Sequence, residues 1–301
     1  MRKFNLKDNV VKRMKGILQE DVRPSAAAKP EPERAEQQAP AMGCETIRYS
    51  WRTDVGRLRK NNQDAVILGN GMAGVADGMG GHNGGEIASA GLRDGLIRET
   101  TGREPGAEPL AEAVRTINLE LWKQQEENES LSGMGTTLTV LWPAEKEMII
   151  GHVGDSRAYL IRGGEMKQVT SDHSMVADMV RKGVLTEEQA ACHPMRNYIT
   201  RAVGTEETID VDILTVPRAT GDRWLVCSDG LHGQISRTEM LNLAMNEDLE
   251  KAADRLLQAA LDNGGKDNIT FVLLQDMSVQ ETACEVRPIP ESDGGREADG
   301  L

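Results

Sequence analysis

Apolar positions recur along the chain with two periods, and the switches between them mark out its elements. Short β-rich runs at 46–51, 65–68, 72–76, 136–142, 148–153, 158–162, 166–170, 211–216, 223–227 and 269–274 predict strands. The turn Gly69-Asn70-Gly71 between two of them is a hairpin signal. Helical spacing takes over at 86–99 and 110–127, where Leu110, Ala113, Val114, Ile117, Leu121 and Trp122 fall on one stripe. Two shorter helices are predicted near 237–245 and 248–261, and 172–200 reads as a polar, helical surface insertion. Helices that fall in pairs between runs of short strands indicate an α+β fold with antiparallel sheets. A doubly wound sheet needs strict strand–helix alternation, which is missing here, and there is no fixed-period repeat.

The ends follow different rules. Residues 1–23 predict an amphipathic helix, with Val10, Val11, Met14, Ile17 and Leu18 flanked by Lys7, Lys12, Arg13 and Lys15. Such a helix either packs on its own domain, frays in solvent, or docks on a partner or membrane surface. Residues 24–44 form a Pro/Ala/Glu-rich linker, the folded domain spans 45–276, and 277–301 reads as a disordered tail.

Charge narrows the class. The 301 residues carry a formal net charge of −13, which excludes nucleic-acid backbone as a ready partner. Cys44, Cys192, Cys227 and Cys284 lie far apart without CxxC spacing, against a zinc site or disulfide framework and for a reducing compartment. No apolar run approaches the ~20 residues of a membrane span, and the basic start lacks a signal peptide's apolar core. The cytoplasm is the expected location.

One device recurs at predicted strand edges: an aspartate beside small or turn residues. It occurs as Asp77-Gly78, Gly154-Asp155-Ser156, Ser228-Asp229-Gly230 and Lys266-Asp267-Asn268. A single Asp-Gly pair is usually a turn, but four in a chain with few other catalytic groups point to convergence. Carboxylates brought together stay ionised only beside positive charge, and oxygen-only ligands favour Mg²⁺ or Mn²⁺ over zinc. Two such ions about 4 Å apart would hold a water, acidify it and aim it at phosphorus. The backbone carbonyl of Gly78 could serve as a further ligand. Arg59, in a loop before Asn62-Gln63-Asp64, is either the anchor for a phosphate dianion or one more surface arginine beside Arg57 and Lys60.

Six ordered blocks carry a resemblance: Asn62-Gln63-Asp64, Asp77-Gly78-Met79-Gly80-Gly81, Gly135-Thr136-Thr137, Gly154-Asp155-Ser156-Arg157, Ser228-Asp229-Gly230 and Gly265-Lys266-Asp267-Asn268. Over about 45–276 the chain resembles the bacterial branch of the metal-dependent serine/threonine protein phosphatases, the protein phosphatase 2C family. The resemblance implies an αββα sandwich of two antiparallel sheets with a two-metal centre at one edge. It implies that Asp77 bridges the ions, that the Gly78 carbonyl binds the second, and that Asp229 and Asp267 bind the first. Asp155, with Asp229, resembles the pair that holds a weaker third ion. Arg59 resembles the phosphate-binding arginine, and 172–200 the variable flap beside the site. Gln63 stands where many relatives have glutamate, which removes one negative charge. Gln63, Asp64, His82 and Asn268 are candidates for supporting positions, His82 also for a proton donor to the leaving oxygen. His152 is expected in the core, and His173 and His193 on the surface.

The function implied is hydrolysis of phosphoserine and phosphothreonine on proteins, a serine/threonine kinase among them, by direct attack of a metal-bridged hydroxide. Cys227, inside a strand pattern, lacks the basic loop of a thiol phosphatase. Two rivals remain: a silent phosphoprotein-binding module and a phosphatase for small phosphate esters.

Overall fold

The computed structural model describes residues 46–80, 84–245 and 248–278. The predicted helix at 1–23, the linker at 24–44 and the tail from 279 onward lie outside them, as does His82.

Two antiparallel sheets form the centre. One has the order β1 (Ile47–Asp54), β11 (Ile269–Asp276), β10 (Arg223–Cys227), β7 (Arg157–Arg162), β8 (Glu165–Gln168). The other runs β2 (Asp64–Gly69), β3 (Met72–Met79), β5 (Leu138–Pro143), β6 (Glu147–Val153), β9 (Asp212–Pro217), with the two-residue β4 (Gly135–Thr136) paired to the end of β3. Asn70 and Gly71 both take positive φ, the geometry that matches a two-residue turn to the twist of β2 and β3.

Strand residues alternate between two cores. Val272 and Leu274 of β11 face Val75, Leu141 and Ile150 of the opposite sheet, whereas Phe271 and Leu273 face helices. Both faces are therefore buried, which is why these strands read as continuous apolar runs rather than alternating ones. Helices α1 (Gly84–Thr100) and α2 (Ala107–Glu127) cover the second sheet through Leu92, Leu96, Leu110 and Ile117. On the first sheet lie α5 (Asp229–His232), α6 (Arg237–Ala244) and α7 (Leu249–Asp262), through Leu231, Met240 and Leu256. Four layers result, helices outside and sheets within, as expected. The insertion carries α3 (Met175–Arg181) and α4 (Glu187–Ala191). Its roots are stitched together by a bridge between Ser174 and Ile199.

Candidate metal centre

Asp64 at the start of β2, Asp77 near the end of β3, Asp229 just after β10 and Asp267 just before β11 lie at one edge, while Asp155 stands in the β6–β7 loop. Asp64 and Asp77 are direct partners across the β2–β3 ladder, so both side chains leave the same face of that sheet. Strand β3 continues past the predicted end at 76 to Met79, which puts the Asp77-Gly78 pair within the ladder rather than in a following loop. A Cβ on Gly78 would stand 2.0 Å from the Gly85 carbonyl oxygen and 2.4 Å from that of Gln63. Only glycine admits this approach of α1 to the strand. The Asp77 amide donates to Thr137 Oγ1 at 2.9 Å, and its carbonyl accepts from the Thr137 amide at 2.9 Å.

Asp64 is a strongly perturbed carboxyl. Its pKa is pushed up to about 7, first by burial and then by the charges of Asp229 and Asp267, against hydrogen bonds from Thr270 and Ser228. Ser228 Oγ donates to Asp64 Oδ2 at 2.9 Å and accepts from the Thr270 amide at 3.1 Å. Asp229 begins α5, directly after Ser228. Three residues on, His232 Nε2 lies 3.1 Å from the Asp155 carbonyl, which ties the α5 turn to the β6–β7 loop. Burial, with the Arg157 charge behind it, pushes the His232 imidazole down to about 3.

Arg59 reaches the group from its loop: Nη2 donates to Asp267 Oδ2 at 2.7 Å. Asn268 holds that loop in register. Its Nδ2 donates to the carbonyls of Val55 at 3.0 Å and Asn61 at 2.9 Å, while its Oδ1 accepts from the Gln63 amide at 2.8 Å. Gln63 is placed in turn by its carbonyl, which accepts from the Gly78 amide at 3.1 Å and from Ser89 Oγ at 2.7 Å. Asn268 and Gln63, two of the candidates for supporting positions, are thus joined to each other and to the arginine loop. Ser228 and Thr137, from the motif blocks of the sequence, join them, as does Thr270, which no motif had marked.

Among the described residues, no three His, Cys, Asp or Glu side chains are drawn tightly enough to form a ready-made ion cage. The donors nevertheless fit a hard divalent cation. They are all oxygen atoms, and added positive charge would offset the Asp229 and Asp267 charges that, after burial, help to lift Asp64. The guanidinium on Asp267 supplies part of that charge as the structure stands.

The histidines divide. His152 lies in the core as expected, between Thr139 Oγ1 and the Ser171 carbonyl. His173, expected on the surface, is buried. It packs against the His152 ring at the flap root and accepts a hydrogen bond from the Gly154 amide. Cys227 is buried in β10, where its surroundings push the thiol up to about 12.

Comparison with known proteins places this architecture. The profile of the family described as Protein phosphatase 2C matches residues 57–273. The chain belongs to the protein phosphatase 2C family. Within it, the serine/threonine protein phosphatase PstP of Mycobacterium tuberculosis is 40% identical over 230 residues, 75% of this chain. The chain spans 44% of that relative's length. The serine/threonine phosphatase stp of Listeria monocytogenes is 37% identical over 243 residues, 75% of this chain and 94% of the relative. A crystal structure of the PstP catalytic domain in complex with two manganese ions is also similar. It has a TM-score of 0.72 and 37% identity, and covers 77% of this chain and 99% of that one. The protein phosphatase 2C fold thus accounts for the two antiparallel sheets and their helical cover.

Proposed function

We propose that this protein is a metal-dependent phosphatase that hydrolyses phosphoserine and phosphothreonine on proteins. The observation that carries the reading is the gathering of Asp64, Asp77, Asp229 and Asp267 at one sandwich edge, in a family whose named relatives are serine/threonine phosphatases. Asp77, the Gly78 carbonyl, Asp229 and Asp267 would hold two ions, Mg²⁺ or Mn²⁺, and Asp155 with Asp229 a weaker third. When bound, such ions acidify water and neutralise charge on a phosphoryl group.

The chain's own residues supply the rest. Arg59 is partly exposed, and its planar fork suits two phosphoryl oxygens once Asp267 faces a cation instead. Ser228 and Thr270 keep Asp64 oriented beside Asp229. Asn268 fixes the arginine loop to the strand that carries Asp64. The flap, 172–200, would select among phosphoproteins, with a serine/threonine kinase as one substrate. Among the described residues, no helix is long and apolar enough to cross a membrane, and a cytoplasmic site of action fits that composition.

Hydrolysis of a phosphothreonine peptide with and without Mn²⁺, in wild type and Asp229→Asn, tests the reading. Turnover should require the metal and fall by orders of magnitude in the variant. Equal rates after chelation overturn the mechanism. Retention of the phosphopeptide without turnover would instead favour the silent binding module, and faster hydrolysis of small esters the metabolite phosphatase.

A further inference from the structure

His173 makes two hydrogen bonds to a single residue. Its amide donates to the Gly154 carbonyl at 2.7 Å, and its Nδ1 accepts from the Gly154 amide at 3.0 Å. Together they close a ring around the residue that immediately precedes Asp155. Because Nδ1 is the acceptor, the ring proton belongs on Nε2, where Asp212 Oδ2 lies 3.2 Å away. Asp212 is itself fixed by Arg201 Nη1 at 2.8 Å. The other side of Asp155 is also held. The Ser156 carbonyl accepts from Thr139 Oγ1 at 3.0 Å, and Ser156 Oγ meets Thr137 Oγ1 at 2.7 Å.

The same histidine belongs to the flap. Its carbonyl accepts from the Thr200 amide at 2.8 Å, so it joins the outgoing and returning roots of that insertion. Gly154 has φ +107 and leaves no room for a side chain against Thr137. The turn before Asp155 therefore relies on backbone contacts, and two of those come from His173.

We propose that His173 is a positioning residue that seats Asp155 at the third-ion site and makes that seating depend on a closed flap root. The proposal rests on Asp155 being an ion ligand, as read above. The atom that matters is Nδ1, an acceptor for the Gly154 amide; the Nε2–Asp212 contact orients the ring. Outer partners that orient a ligand typically change metal affinity by about 10–100-fold.

The test is calorimetric titration of Mn²⁺ into the full, chelator-stripped chain, in wild type, Asp155→Asn, His173→Ala, His173→Asn and His173→Gln. Asn offers its amide oxygen where Nδ1 stands, and Gln offers its amide where Nε2 stands. His173→Ala should weaken the weakest Mn²⁺ step about 10-fold or more while the tighter steps hold. His173→Asn should recover most of that loss, and His173→Gln should not. If Ala fails to fold, the Asn against Gln comparison decides alone. Equal or better recovery by Gln, or an unchanged step in Ala where Asp155→Asn loses it, overturns the proposal and spares the ion assignment. An unchanged isotherm in Asp155→Asn removes the ion assignment itself, and the proposal with it.

Discussion

At the scale of single residues, shape and burial decide more than charge. Gly78 is fixed by what surrounds it: an added methyl would lie within 2.4 Å of two carbonyl oxygens. Gly78→Ala should cost about 1–3 kcal/mol in urea unfolding, because backbone rather than side chain must give way. Beside the more strongly shifted His232, His152 contributes to the pH dependence. Burial, with the neighbouring His173 next, holds its imidazole down at about 4. Below about pH 6.5 the unfolded chain takes up a proton that the folded chain refuses, so stability falls as pH falls through the window from 6.5 to 4. Between pH 6.5 and 5 this one group accounts for roughly 2 kcal/mol. His152→Gln should flatten unfolding free energy against pH by about that amount; an unchanged slope would contradict the assignment. The recurring Asp motifs marked the candidate aspartates, and the family resemblance supplied the roles proposed for them. The hold of Ser228 on Asp64 was hidden, because it joins residues 164 apart in sequence, a distance no local pattern reports. His173 was misjudged for a similar reason: a polar, helical neighbourhood suggested surface, while its cover comes from β9 and the β6–β7 loop.

At the scale of elements, periodicity located nearly every strand and helix, since each sheet buries both faces and keeps its runs apolar. It missed β4, which is only two residues long, and the single turn of α5. Both are set by tertiary pairing rather than by propensity. How the sheets are fastened was equally hidden. Arg218, just after β9, makes a two-pronged contact with Asp276 at the end of β11, at 2.6 and 3.1 Å, and both side chains are buried. Its Nη2 also donates to Thr46 Oγ1 at 3.1 Å. This pair spans the seam between the two sheets. Asp276→Ala should destabilise the fold by about 3–5 kcal/mol, since it strands a buried guanidinium. The double variant Arg218→Met with Asp276→Leu should recover most of the loss in thermal unfolding. No recovery would mean that the pair does more than neutralise itself.

For the whole molecule, the order of elements indicated antiparallel sheets with helices, the layered sandwich was implied by the family resemblance, and the pairing of Asp64 with Asp77 across β2 and β3 came only with the fold. A chain with net charge −13 that concentrates acid at one edge should gain from cations bound there. Mn²⁺ at about 100 times its dissociation constant should add about 2.7 kcal/mol and raise the melting temperature by several degrees. Asp229→Asn should lose most of that shift while it melts normally in chelator. A shift of full size in the variant would place the ions elsewhere.

The Met277 amide donates to the Thr46 carbonyl at 2.6 Å, next to the Ile47–Asp276 pair that opens the β1–β11 ladder. The ladder's opposite limit, Asp54 with Ile269, adjoins Asp267, roughly 25 Å away at the usual rise per residue. Thr46 and Met277 therefore sit side by side at the end of this ladder remote from Asp267. A probe attached at the exposed Met277 side chain would sit a full strand length from the acidic edge and leave bulky clients free to approach it.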